Sequence, residues 1–211
     1  MLEQFYEKDK LELGIDEAGR GCLFGPVVIG SVIWLDEDPE PKLEIKDSKK
    51  CTESKRKELR KYIENNAISF SIQFLDNKII DKKNILETTL DGMHKCVDNV
   101  VENISIDTIL VDGNKFNPYF DYNDNNIPHV LVVNGDNIYK SIAAASILAK
   151  EYRDEYILNL VKDNPILEKY DIQNNKGYGT KKHMEAIKEY GITKWHRKSF
   201  SPCKGKELIE G

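Results

Sequence analysis

The chain is short of the features that mark secreted, zinc-stapled or membrane proteins. Its 211 residues include only four cysteines, Cys22, Cys51, Cys96 and Cys203, far apart and without a CxxC spacing. That argues against a zinc site or a disulfide framework and for reduced thiols in the cytoplasm. No apolar run approaches the ~20 residues needed to span a bilayer, so no membrane partner is expected. The opening MLEQFYEKDK is charged and has no apolar centre, unlike a signal peptide. G-x-S-x-G, a Walker lysine loop and H-E-x-x-H are all missing. The four histidines, His94, His129, His183 and His196, show no ligand spacing.

What is present is an ordinary globular composition, 40% hydrophobic and 32% charged, of a length that suits one domain with a small appendage. Net charge is −5, which alone disfavours a nucleic-acid partner. The distribution points the other way. Lys176 to Lys206 holds nine Lys/Arg against two Glu, and Lys46 to Lys61 holds eight against three acids. Either run alone reads as a solvated face; two in an acidic chain point to a focused positive surface.

Apolar residues alternate at Leu11, Leu13 and Ile15, a half-buried strand. Val27 to Leu35 is a second strand, Asp36 to Pro41 a polar loop, and Ile68, Phe70, Ile72 and Phe74 a third strand. Thr52 caps a helix through Asn65. Helix is expected again over Asn84 to Val101, Ser141 to Val161 and Lys181 to Tyr190, the last two stopped by Asn164-Pro165 and Gly191. In the long helix Ile142, Ala145, Ala149, Tyr152, Tyr156 and Leu160 fall on one face, and its Ala-rich start suits close packing on a sheet. Short strands at Thr108 to Val111 and Val130 to Val133 complete the set, with Asn114 to Pro128 a loop between them. The expected fold is α/β: three antiparallel strands, then parallel additions, making a mixed five-stranded sheet flanked by helices. Residues 1–165 form the core and 166–211 a small helical extension, together one compact unit.

Three apolar strands end in acid: at Asp16-Glu17, at Asp112 and at Asp136. Each alone is more simply a turn. Together they matter, because functional groups in open α/β sheets gather at the carboxyl ends of strands. Four clustered carboxylates repel unless a cation sits among them, and hard oxygen donors without His or Cys select Mg2+ or Mn2+. One geometric demand follows. Neighbours in a regular strand face opposite ways, so Asp16 and Glu17 can share a site only where the strand ends or bulges.

Taken together, "GIDEAGRGCLFGPVV", "KDSKK" (Lys46 to Lys50), "LVDGN", "NGD", "SIAAASILAKEYRD", "KGYGT" and "HRKSF" resemble, in order and over most of the chain, the type 2 ribonuclease H family, of the bacterial HII kind. The resemblance implies an RNase H-like core with Asp16, Glu17, Asp112 and Asp136 as catalytic metal ligands for Mg2+ or Mn2+. It implies an endonuclease acting on RNA–DNA hybrids and on duplex DNA with embedded ribonucleotides. Such an enzyme cuts 5′ of the ribonucleotide and leaves 3′-hydroxyl and 5′-phosphate ends, with roles in ribonucleotide repair and primer removal. Gly19, Arg20 and Gly21 would read the 2′-hydroxyl largely through backbone groups, Tyr178 would pack on the sugar, and Lys49 and Lys50 would lie near phosphates. Arg20 reads equally as a structural partner for an acid. Cys22 stands where the family usually has proline, and Asn175 where histidine is common. A monomer is expected.

Overall fold

The computed structural model describes residues 2–34, 43, 45 and 51–209. The loop expected at 36–41, and Lys49 and Lys50, lie outside the described residues. In chain order the elements are β1 (Glu12–Ala18), β2 (Val27–Ile33), α1 (Glu53–Asn66), β3 (Ser69–Leu75), α2 (Asn77–Lys83), α3 (Ile85–Val101), β4 (Thr108–Asp112), β5 (Tyr119–Phe120), β6 (Asn126–Ile127), β7 (His129–Val132), α4 (Lys140–Asp163), α5 (Ile172–Asn175) and α6 (Lys181–Tyr190). The elements divide between two compact units. One comprises Met1–Ala18, Val28–Gln73 and Leu90–Glu151, the other Gly19–Val27, Phe74–Thr89 and Tyr152–Gly211.

The first unit is built on a five-stranded sheet of order β3-β2-β1-β4-β7. β1 runs antiparallel to β2 and parallel to β4, and β4 runs parallel to β7, so the sheet is mixed as the strand pattern predicts. Every residue of β2 is buried, which explains why its apolar residues fall on both faces, broken only at Gly30-Ser31, where a half-exposed strand would alternate. α4 approaches this sheet closely. A Cβ on Gly14 would lie 2.4 Å from the Ser141 carbonyl carbon, and one on Gly30 2.5 Å from the Ala145 oxygen. The two glycines and the alanine-rich helix start are thus one packing device.

Three expectations need correction. α4 does not bury one stripe. Ile142 to Ala149 is buried all round, whereas Tyr156 on the expected stripe is exposed and Ile157 beside it is buried. A helix covered on every side has no apolar face to find. β3 exists, but its apolar set faces outward: Phe70 and Phe74 are exposed while Ser71 is buried. Ser71 is held there by Asn99 Nδ2, which donates to its hydroxyl at 3.1 Å. The stretch 114–128 is not all loop, since β5 and β6 pair as a small antiparallel ribbon. α2 was not foreseen; its N-cap is Asp76, whose carboxylate accepts from the Ile79 N–H at 2.9 Å. The Thr52 and Gly191 caps of α1 and α6 stand as expected.

The second unit packs its own apolar cluster, in which Phe24, Ile157, Leu167, Tyr170, Ile172 and Ile187 are central. At about 1.5–3 kcal/mol per large apolar side chain, this burial is the main force ordering the unit's short helices and the turns between them.

Candidate active site

In the first unit Asp16 sits on β1 and Asp112 ends β4. The parallel pairing of these strands runs Glu12–Thr108 to Ile15–Val111, and one further step brings Asp16 level with Asp112. β1 stops pairing with β4 there but stays paired with β2 to Ala18–Val28. β1 therefore leaves β4 after Ile15 but runs on, unbulged, beside β2 to Ala18, so Asp16 and Glu17 remain neighbours in a regular strand and the strand end or bulge expected at them is not seen. Asp136 follows β7 in a 3₁₀ turn, Gly135–Asn137. The Gly135 N–H donates to Asp112 Oδ1 at 2.7 Å, tying the turn to the end of β4.

Asp16 is only 5% exposed and Asp136 only 1%; Glu17 and Asp112 are half-buried. Burial, and then the charges of Glu17 and Asp112, push the Asp16 carboxyl well above the usual carboxylate range. A hydrogen bond with the Ser146 side chain opposes this, as does the Glu17 N–H, which donates to Asp16 Oδ1 at 2.7 Å. Ser146 reaches Asp16 because α4 lies so close to the glycines of β1 and β2. Asp136 accepts from Asn137 Nδ2 at 3.0 Å. Among the described residues, no three His, Cys, Asp or Glu side chains already form a closed metal cluster. The donor set is nonetheless all hard oxygen, and the mutual repulsion felt at Asp16 is what a divalent cation relieves.

The second unit holds the remaining described candidates. Gly19 has φ +86°, and a Cβ there would meet Arg153 Nε at 2.0 Å, so packing and conformation both demand glycine. Gly21 differs: its φ is not positive and nothing lies within 4 Å of an added Cβ. Among the described residues nothing demands glycine at that position. Arg20 and Gly21 are exposed. Tyr178 is 43% exposed, and its hydroxyl shares a hydrogen bond with the Cys22 thiol; burial raises the phenol's pKa. The Leu23 N–H donates to the Gly177 carbonyl at 2.8 Å, joining the two glycine-flanked turns.

Two groups of residues beneath these turns escaped sequence reasoning. Arg153 and Arg197 are both fully buried. Arg153 donates to the carbonyls of Pro26, Lys176 and Phe24 at 3.0, 2.8 and 3.0 Å. Arg197 donates to those of Gly25, Arg20 and Gly19 at 3.0, 2.9 and 2.8 Å. One signal for Arg153 was available: it lies four residues from both Ala149 and Ile157, on the apolar side of its helix. The second group is a histidine pair. His183 Nδ1 lies 2.9 Å from the Tyr178 carbonyl, which can only accept, so Nδ1 carries the proton. His183 Nε2 then accepts from His196 Nε2 at 3.0 Å, leaving His196 Nδ1 to accept the Thr193 N–H at 3.0 Å. Both rings are thus neutral. His196 is wholly buried and, through His183, supports the Tyr178 backbone.

The family model described as ribonuclease HII matches residues 13–203. The chain is 45% identical over 201 residues to a ribonuclease HII of Parabacteroides distasonis, covering 95% of each. Its fold is similar to that of the ribonuclease HII in a PCNA complex from Archaeoglobus fulgidus. The TM-score there is 0.71 at 25% identity, over 90% of this chain and 95% of that one. It is also similar to Bst-RNase HIII solved with Mn2+, with a TM-score of 0.67 at 18% identity, over 92% of this chain and 68% of that one.

Proposed function

The chain belongs to the ribonuclease HII family, whose members cleave RNA in RNA–DNA hybrids and at embedded ribonucleotides, and on that premise we propose how its own residues divide the work. Asp16, Glu17, Asp112 and Asp136 hold divalent cations, Mg2+ or Mn2+. Bound there, the cations supply an activated water and stabilise charge on the leaving oxygen. Asp16 and Asp112, level at the ends of parallel strands, are the central ligands, and Glu17 and Asp136 complete the set. The Ser146 hydroxyl and the Glu17 N–H fix the Asp16 carboxylate, and the Gly135 N–H fixes that of Asp112. Ligands held in this way need no rearrangement to receive a cation.

Gly19-Arg20-Gly21 reads the 2′-hydroxyl, the group that separates RNA from DNA. The observation that carries this is Gly21, which is exposed and which nothing among the described residues requires to be glycine. A backbone position kept bare in that way suits close approach by a ligand. Tyr178 gives a flat, half-exposed ring for the sugar next in line, oriented through Cys22 and the histidine pair. Lys49 and Lys50 contact phosphate. The cut falls 5′ of the ribonucleotide and leaves 3′-hydroxyl and 5′-phosphate ends. The 2′-hydroxyl is recognised and is not the nucleophile, so no histidine base is needed; the buried, neutral His183 and His196 accord with that. Steady-state cleavage of a duplex with one ribonucleotide, against the same duplex in DNA alone, tests the assignment. Comparable cutting of both would refute it.

A further inference from the structure

Arg197 bonds two consecutive carbonyls of the turn proposed above as the 2′-hydroxyl reader, those of Gly19 at 2.8 Å and Arg20 at 2.9 Å. Among the described residues no peptide is cis. In a trans peptide the C=O and the following N–H point in opposite directions across one plane. Fixing the Gly19 carbonyl on the buried guanidinium therefore turns the Arg20 N–H away from it. Fixing the Arg20 carbonyl does the same for the Gly21 N–H. Both residues are exposed, in accord with two successive N–H groups that point away from the buried guanidinium. We propose that Arg197 is a positioning residue for ribonucleotide recognition, holding the Arg20 and Gly21 N–H groups in the orientation that meets a 2′-hydroxyl. This rests on the backbone-reader assignment made above.

Arg197 is itself anchored. Its own N–H donates to the Leu23 carbonyl at 2.9 Å, and its guanidinium lies 5.1 Å from the centre of the Phe200 ring. A planar fork bonding adjacent carbonyls is something lysine cannot reproduce, having a single ammonium in place of parallel donors. Arg153 supplies the comparison. It is equally buried and makes as many carbonyl bonds, but to Pro26, Lys176 and Phe24, none of them in the reading turn.

The test measures kcat and KM with Mg2+ on two duplexes, one with a single ribonucleotide and one with a 2′-fluoro nucleotide at that position. Folding of each variant is checked by circular dichroism and melting. The wild type should prefer the 2′-hydroxyl; if it does not, the reader assignment fails and this proposal with it. Arg197→Lys should lower kcat/KM on the ribonucleotide duplex by about ten- to a hundredfold, and on the fluoro duplex by less than about threefold. Arg153→Lys should affect the two alike. If Arg197→Lys does not fold, Phe200→Ala, which removes the ring under the guanidinium and that ring's packing on the apolar cluster, carries the same comparison with a smaller selective loss. Equal losses on both duplexes, or no loss in a folded variant, would overturn the proposal.

Discussion

In the first unit, charge of one sign is brought together at the ends of parallel strands, and Asp16 feels it as an upward shift. In the second unit, two cations are buried and each of their six N–H bonds ends on a main-chain carbonyl. The first arrangement gains by receiving a cation. The second is satisfied before any ligand arrives. Metal-assisted chemistry needs the first kind of arrangement, an affinity held in reserve for a cation; recognition through backbone groups needs the second, a turn that does not rearrange.

The difference can be broken most severely at the acids. Asp16→Asn or Asp112→Asn should lower cleavage of the single-ribonucleotide duplex on the order of a thousandfold, as loss of a ligand to a catalytic metal does. The fold should survive. Asp16 has its pKa raised in the folded state, so its ionised form opposes folding above the unfolded value. Without divalent cation, Asp16→Asn should therefore melt no lower than the wild type, and Mn2+ should raise the melting temperature of the wild type alone. A lower melting temperature for the variant would contradict the description of Asp16 as strained by burial and like charge.

Removing a cation from the second unit should do the reverse, costing stability first. Arg153→Met strands the Phe24, Pro26 and Lys176 carbonyls and should destabilise by about 3 kcal/mol in urea unfolding; a change under about 1 kcal/mol would show that the guanidinium is not what holds these segments. Tyr178→Ala should lower kcat/KM by roughly tenfold, the scale of one aromatic contact with a nucleotide, and leave melting nearly unchanged. An equal rate would remove Tyr178 from the substrate surface.

The effect that is smallest near neutral pH is that of acid. Burial, then the His183 ring, hold His196 down to about 3, and burial lowers His183 as well. The unfolded chain takes up protons near the ordinary histidine value while the folded chain does not. Stability should thus be complete above ~6.5 and fall by about 1.4 kcal/mol per pH unit per histidine below it, with His196 contributing down to about 3. His196→Gln should flatten that slope; an unchanged slope would place the titration elsewhere.

The positions of the acids were legible because each stands at or just past an apolar run, although only Asp112 is a strand's last residue: β1 continues to Ala18, and Asp136 follows β7 in a turn. The edge at which β1 leaves β4 while keeping β2 was not legible, since pairing partners are not written in the run itself. β3 was found but turned the wrong way, because alternation fixes the period and not the covered face. The supports of the second unit stayed hidden for a different reason. Arg153 and Arg197 partner carbonyls, which every residue carries, and His183 and His196 meet across thirteen positions. Interactions with the main chain leave no complementary letter in a sequence.

The most direct test of the central claim is to map the products of a duplex with one embedded ribonucleotide, with Mg2+ and with Mn2+. The account predicts one cut 5′ of the ribonucleotide, with 3′-hydroxyl and 5′-phosphate ends, lost in Asp16→Asn. A 2′,3′-cyclic phosphate, or a cut that persists without the ribonucleotide, would contradict it.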